Sequence, residues 1–96
     1  MFKINDTPEA LVIELSEKID NQLSTEMERS IFDSIGNTNK KIVYNFDKTT
    51  FICSHFFKVL LKSYNAVGKN KFQIVNLSPE ITRVFKIAGF DSILKQ

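Results

Sequence analysis

The chain predicts an α/β fold, a mixed sheet of about four or five strands carrying helices in the order β-β-α-β-α-β-α. Three observations lead there. Short runs rich in β-branched residues, "ALVIEL", "KKIVYNF" and "KFQIV", recur along the 96 residues. Between them lie segments whose apolar residues repeat every three or four positions, the period of an amphipathic helix. Two extended runs precede the first helix. One sheet edge is therefore expected to be antiparallel, while later strands pair in parallel through right-handed crossovers.

Each element has its own signal. "FKIND" alternates and reads as an edge strand, and Thr7-Pro8-Glu9 is a turn because Pro fixes φ and removes a donor. Ala10 to Leu15 is the next strand. In "SEKIDNQLSTEMERSIFDSIGN", Leu23, Met27, Ile31 and Ile35 recur every four residues and Phe32 widens the stripe. Asn21 or Ser24 is the expected cap, Thr25 and Glu28 have capping-box spacing, and Gly36 suits a left-handed end. Lys40 to Phe46 is a strand, Asp47-Lys48 a turn and "TTFIC" an extended piece. From His55 the apolar positions are Phe56, Phe57, Val59, Leu60, Leu61, Tyr64 and Val67, with Lys58, Lys62 and Ser63 off that face. Gly68 ends this helix, and Lys71 to Val75 is a strand. In "SPEITRVFKIAGF", Ser78 caps, Pro79 takes the first helical position and Glu80 favours the positive end of the dipole. Ile81, Val84, Phe85 and Ala88 form its buried stripe, Gly89 stops it and Phe90 packs back. "DSILKQ" adds one short helical turn.

Composition narrows the function classes. The length suits a single domain, residues 1–96. One cysteine excludes an internal disulfide, and no apolar run approaches the roughly 20 residues that span a bilayer. The start, "MFKINDTPEA", has acidic and polar residues where a signal peptide is apolar, so a cytoplasmic location without membrane insertion is expected. Residues 1–52 hold six basic and nine acidic side chains, and residues 53–96 hold seven and two. The basic half can attract an acidic partner. Its cations are scattered, so specific nucleic-acid binding is not expected. The three glycines are isolated at helix ends and form no phosphate loop, so no cofactor is expected.

The chemically capable residues cluster at Cys53-Ser54-His55, where the extended piece turns into a helix. Cys53 could act as a nucleophile with His55 as base, but no orienting third group is readable. The plainer reading makes Cys53 a small residue closing the strand. His55 is the chain's one histidine, and no ligand spacing supports a metal. Ser54 is read as a helix N-cap before it is read as a phosphosite. Phe56 is core or an exposed anchor; beside Lys58 and Lys62 an exposed aromatic would make a mixed apolar-basic docking patch. Asp20 and Asn45 stand near strand ends, either as interface hydrogen-bonding groups or as loop caps.

These phrases resemble the STAS domain of the anti-sigma-factor antagonists, over roughly residues 10–95. "LVIELSEKID" is similar to the family's strand followed by Ser-Gly-x-Leu-Asp, with Asp20 at the Asp and Glu17 where Gly is usual. "KIVYNFDKTTFICSHFFKVLLKSY" resembles the stretch that contains Asp-Ser-Ser-Gly. Asn45 falls at an earlier Asp of that stretch, Cys53 at the motif's Asp, Ser54 at its first Ser, His55 at its second and Phe56 at its Gly. "FQIVNLSPEITRVFKIAGFDSIL" is similar to the closing strand, helix and turn, and is the most specific part.

The resemblance implies a STAS-like domain and a non-catalytic protein-interaction module. The implied partner is an anti-sigma factor of the serine-kinase type. The alternative is the ATPase of a phospholipid-transport complex. In phospho-regulated members the second Ser accepts the phosphate, and His55 has no hydroxyl to do so. The usual switch is therefore not expected, and Ser54 is the nearest remaining hydroxyl. The expected contact surface is Cys53, Ser54, His55, Phe56, Lys58 and Lys62, joined by Asp20 and Asn45.

Overall fold

Residues 2–36 and 39–90 are described by a computed structural model. Strand β1 (Lys3–Asp6) pairs antiparallel with β2 (Ala10–Glu14), in the register Lys3 to Glu14 and Asp6 to Leu11. The turn between them is closed by Thr7, whose N–H and Oγ1 both donate to the Ala10 carbonyl at 2.9 and 2.8 Å. Strand β2 pairs in parallel with β4 (Lys41–Asn45), and β4 in parallel with β6 (Phe72–Val75). The sheet order is β1-β2-β4-β6, a mixed sheet with one antiparallel edge, as the leading pair of runs implies.

Helix α1 (Asn21–Ile35) crosses from β2 to β4, and α2 (Ser54–Val67) from β4 to β6; α3 (Pro79–Ile87) follows β6. Both crossovers advance in the same direction, so right-handedness puts both helices on one face of the sheet. Alternation along the strands fits that arrangement. Leu11, Ile13 and Leu15, with Ile42, Tyr44 and Phe46, are buried beneath the helices. Val12 and Val43 point to the opposite, half-open face. The helices contribute Met27 and Ile31, then Phe56, Phe57, Val59 and Leu60, then Ile81 and Phe85.

A second, two-stranded parallel sheet joins β3 (Lys18–Ile19) to β5 (Phe51–Ile52). The two residues of β3 lie in the stretch whose dominant sequence signal is helical. Two residues carry too little periodicity to compete with that signal, and their pairing partner lies more than thirty positions away.

Several local expectations change. The N-cap of α1 is Asp20, not Asn21 or Ser24: its carboxylate accepts from the Leu23 N–H at 2.8 Å. Pairing holds Ile19 in β3 and the helix starts at Asn21, one residue earlier than an Asn21 cap would place it, so Ser24 is already inside it. Gly36 ends α1 with a right-handed φ of −63°, whereas Gly68 and Gly89 take positive φ of 87° and 81°. Ser63 is fully buried rather than off the core face. Its hydroxyl donates to helix carbonyls, at 2.9 Å to Leu60, and accepts from the Tyr44 hydroxyl at 2.9 Å. Leu61, Val84 and Ala88 face outward, because α2 buries positions 56, 57, 59, 60 and 63 and α3 buries 81 and 85.

Ser78 caps α3 as read, with Pro79 in its first turn. Phe90 packs back, stacked on Phe57 with ring centroids 5.1 Å apart. "DSILKQ" lies outside the described residues.

Candidate functional site

The corner where β5 becomes α2 is held by backbone bonds to the β3 segment. The Glu17 carbonyl accepts from the N–H groups of Thr50 and Phe51 at 2.8 and 3.2 Å, and the Ile19 carbonyl accepts from Cys53 N–H at 3.0 Å. Thr49, buried, donates its hydroxyl to the Ser16 carbonyl at 2.8 Å. These bonds lay residues 49–53 along residues 16–19. The same register brings Asp20 beside the start of α2, since Ile19 pairs with Ile52.

Cys53 stands at the N-cap position in extended conformation and makes no side-chain cap bond. Ser54 is therefore the first helical residue, not the cap expected of it, and its side chain is exposed. A thiol is a weak acceptor, and this one faces elsewhere: Sγ lies 3.1 Å from Oγ of the buried Ser24 on α1.

His55 turns toward α1 as well. Its Nε2 lies 3.1 Å from Oε1 of Glu28, and the second oxygen of that carboxylate accepts from Lys62 Nζ at 2.7 Å. Ser24 and Glu28 are one helical turn apart, so one strip of α1 receives both Cys53 and His55. The Lys62 ammonium first, with further help from His55, holds the Glu28 carboxyl below its ordinary value, against an opposing contribution from burial.

This geometry decides the chemistry. Thiol and imidazole each bond to a different residue of α1, so the structure does not pair them as nucleophile and base. Among the described residues, no group of three His, Cys, Asp or Glu side chains could hold a metal ion.

Phe56 is corrected outright. It is fully buried, with its ring edge-on to Tyr44 and Phe46 at centroid distances of 6.3 and 6.4 Å. The first turn of α2 lies directly over the sheet, so position 56 points down into the core and cannot serve a partner. Asn45 is drawn elsewhere too: its Oδ1 accepts from Asp47 N–H and Asn76 Nδ2, both at 3.0 Å. It lines an open depression of about 370 Å³ with Ser16, Glu17, Asp47 and Lys48.

The outward surface of the corner is thus Ser54, the half-exposed edge of His55, Lys58 and Lys62. Phe51 joins them, 51% exposed on β5 immediately before the corner. Sequence reading missed Phe51 and Glu28. Alternation around the buried Ile52 points Phe51 outward and could have found it. The spacing puts Glu28 in a capping box with Thr25, but Asp20 caps the helix and the packing of α1 against α2 brings Glu28 to His55.

The STAS domain family model matches residues 1–96. Among solved structures, the anti-sigma factor antagonist SpoIIAA in its unphosphorylated form superposes with a TM-score of 0.82 at 21% identity, over 98% of this chain and 85% of that one. An anti-sigma factor antagonist from Mycobacterium paratuberculosis gives 0.83 at 22%, over 99% and 82%. An anti-sigma-factor antagonist (STAS) domain protein from Planctomyces limnophilus gives 0.83 at 13%, over 97% and 86%. No curated protein sequence matches the chain. Identities this low speak for the fold alone, and the family match speaks for the rest: the chain belongs to the STAS domain family.

Proposed function

We propose that this protein is a non-catalytic protein-binding module, resembling an anti-sigma-factor antagonist, that docks a protein partner through the start of α2 without a phosphorylation switch at position 55. The observation that carries the reading is the surface itself. An exposed aromatic, Phe51, stands just ahead of Ser54, and exposed Lys58 and Lys62 follow one and two turns along α2. An exposed aromatic with exposed basic side chains further along the same surface segment has the composition of a protein-docking patch. Position 55 offers an imidazole engaged with Glu28, and no hydroxyl.

The charge logic supports a constitutive mode. A phosphoryl group brings about −1.5 to −2 charges and strong acceptors to a helix start, enough to change which partners it tolerates. Here the Glu28 carboxylate is already shared between His55 and Lys62. The patch keeps one state, and complex formation is then set by partner abundance.

The experiment uses the kinase-type anti-sigma factor and the transporter ATPase encoded in the same genome, each titrated against this protein with and without ATP. Expected is a complex that survives ATP, with no phosphate on residues 49–55 by mass spectrometry. Stoichiometric phosphate on Ser54, Thr49 or Thr50 would refute the switchless reading. Which of the two proteins binds decides between the partner classes.

A further inference from the structure

Helix α3 carries a second surface that the corner at α2 does not use. Ile81 and Phe85 anchor it in the core. Glu80, Arg83, Val84 and Ile87 fall on its outer side at positions i, i+3, i+4 and i+7. Two of these are large and apolar, with Val84 37% and Ile87 80% exposed. Beside this stripe a shallow groove of about 420 Å³ is lined by Leu77, Pro79, Thr82, Arg83 and Lys86.

The helix has a single carboxylate, Glu80, in its first turn, where the dipole holds it. Among the described residues, neither Arg83 nor Lys86 forms an ion pair. Two cations that form no ion pair among the described residues therefore flank exposed aliphatic side chains and a groove floored by Leu77 and Pro79. Scattered exposed hydrophobics are ordinary; neighbouring exposed aliphatic side chains beside cations that form no ion pair are a recognition feature.

We propose that the α3 face is a docking site for a short acidic, apolar-containing segment of a partner protein, its carboxylates meeting Arg83 and Lys86 and an apolar side chain entering the groove over Leu77 and Pro79. A nine-residue helix is about 13 Å long, which matches two turns of a helical peptide or about four extended residues. A contact that small and that charged is weak, transient and salt-sensitive. An anionic bilayer is the poorer occupant. Basic segments that hold a membrane carry on the order of four to eight cations, against two here.

The test pans a phage-displayed library of random peptides about twelve residues long on the full chain, with no selection against any variant. Enriched peptides are then measured by fluorescence anisotropy. Expected are sequences combining Asp or Glu with Leu, Ile or Phe, weakened at least tenfold by R83E/K86E and by Ile87→Asp, but unchanged by K58E/K62E. That last variant keeps this surface separate from the α2 corner, so either can fail alone. Enrichment without acidic residues, or equal binding to R83E/K86E, would overturn the proposal. So would co-sedimentation with vesicles containing anionic lipid that R83E/K86E abolishes, or dimerisation that R83E/K86E abolishes. Those two results would assign the face to a membrane or to a second copy. Circular dichroism of each variant checks that loss of binding is not loss of fold.

Discussion

Glu28 on α1 and His55 on α2 meet across the two helices, with Oε1 and Nε2 3.1 Å apart. Lys62, two turns along α2 from Ser54, takes the other oxygen of the same carboxylate at 2.7 Å. One acidic side chain thereby ties the start of α2 and a position two turns further along it to α1. Its effect is orientation more than stability, because Lys62 keeps 62% of its side chain in solvent, where screening weakens an ion pair.

The acid limb of the stability curve follows from that contact. Lys62 and His55 depress the Glu28 carboxyl in the folded state. The contribution is therefore fully present above the ordinary carboxylate value and disappears as pH falls through the lowered one. Glu28→Gln is expected to cost about 0.5 kcal/mol near neutral pH and nothing once the wild-type carboxyl is protonated. Urea unfolding at several pH values measures both ends; a constant difference would contradict the assignment.

Two aromatic residues on either side of the corner should behave oppositely. Phe56 is fully buried between Tyr44 and Phe46, so Phe56→Ala is expected to cost about 3–5 kcal/mol. Phe51 is half exposed, so Phe51→Ala should stay within about 0.5 kcal/mol of wild type. If Phe51 anchors the partner, that substitution weakens binding at least about tenfold, a loss of ~1.4 kcal/mol, by calorimetry.

The helix starts give a sharp contrast. Asp20 accepts from Leu23 N–H, and Asp20→Ala should cost about 1 kcal/mol. Ser54 caps nothing, so Ser54→Ala should change stability by less than about 0.5 kcal/mol. Thermal unfolding of the two variants side by side distinguishes them.

Tyr44 predicts an alkaline limb. Burial pushes its phenol well above the ordinary value, opposed by the hydrogen bond to Ser63. The folded state thus holds the proton more tightly, and stability declines once pH passes the unfolded value near 10. Tyr44→Phe should remove this contribution, at a cost of about 1 kcal/mol near neutral pH for the lost bond to Ser63. Unfolding free energies of both proteins between neutral pH and the alkaline range test it.

Local chemistry made much of this protein legible in the sequence. The runs of β2, β4 and β6 declared themselves through β-branched residues, and α3 through Ser78, Pro79, Glu80 and Gly89. Those signals lie within one turn or one strand of the residues they organise, so no distant contact is needed to read them. The partition of apolar side chains between core and surface was legible only in part. Phe56, Leu61, Ser63 and Val84 all depend on how a helix is rotated over the sheet, and a rotation of one position exchanges a buried side chain for an exposed one. The pairing of β3 with β5, the bond from Cys53 to Ser24 and the meeting of Glu28 with His55 join residues about thirty positions apart. No periodicity links such residues; the packing of α1 against α2 alone decided which side chain the imidazole would face, and therefore that thiol and imidazole point to separate partners.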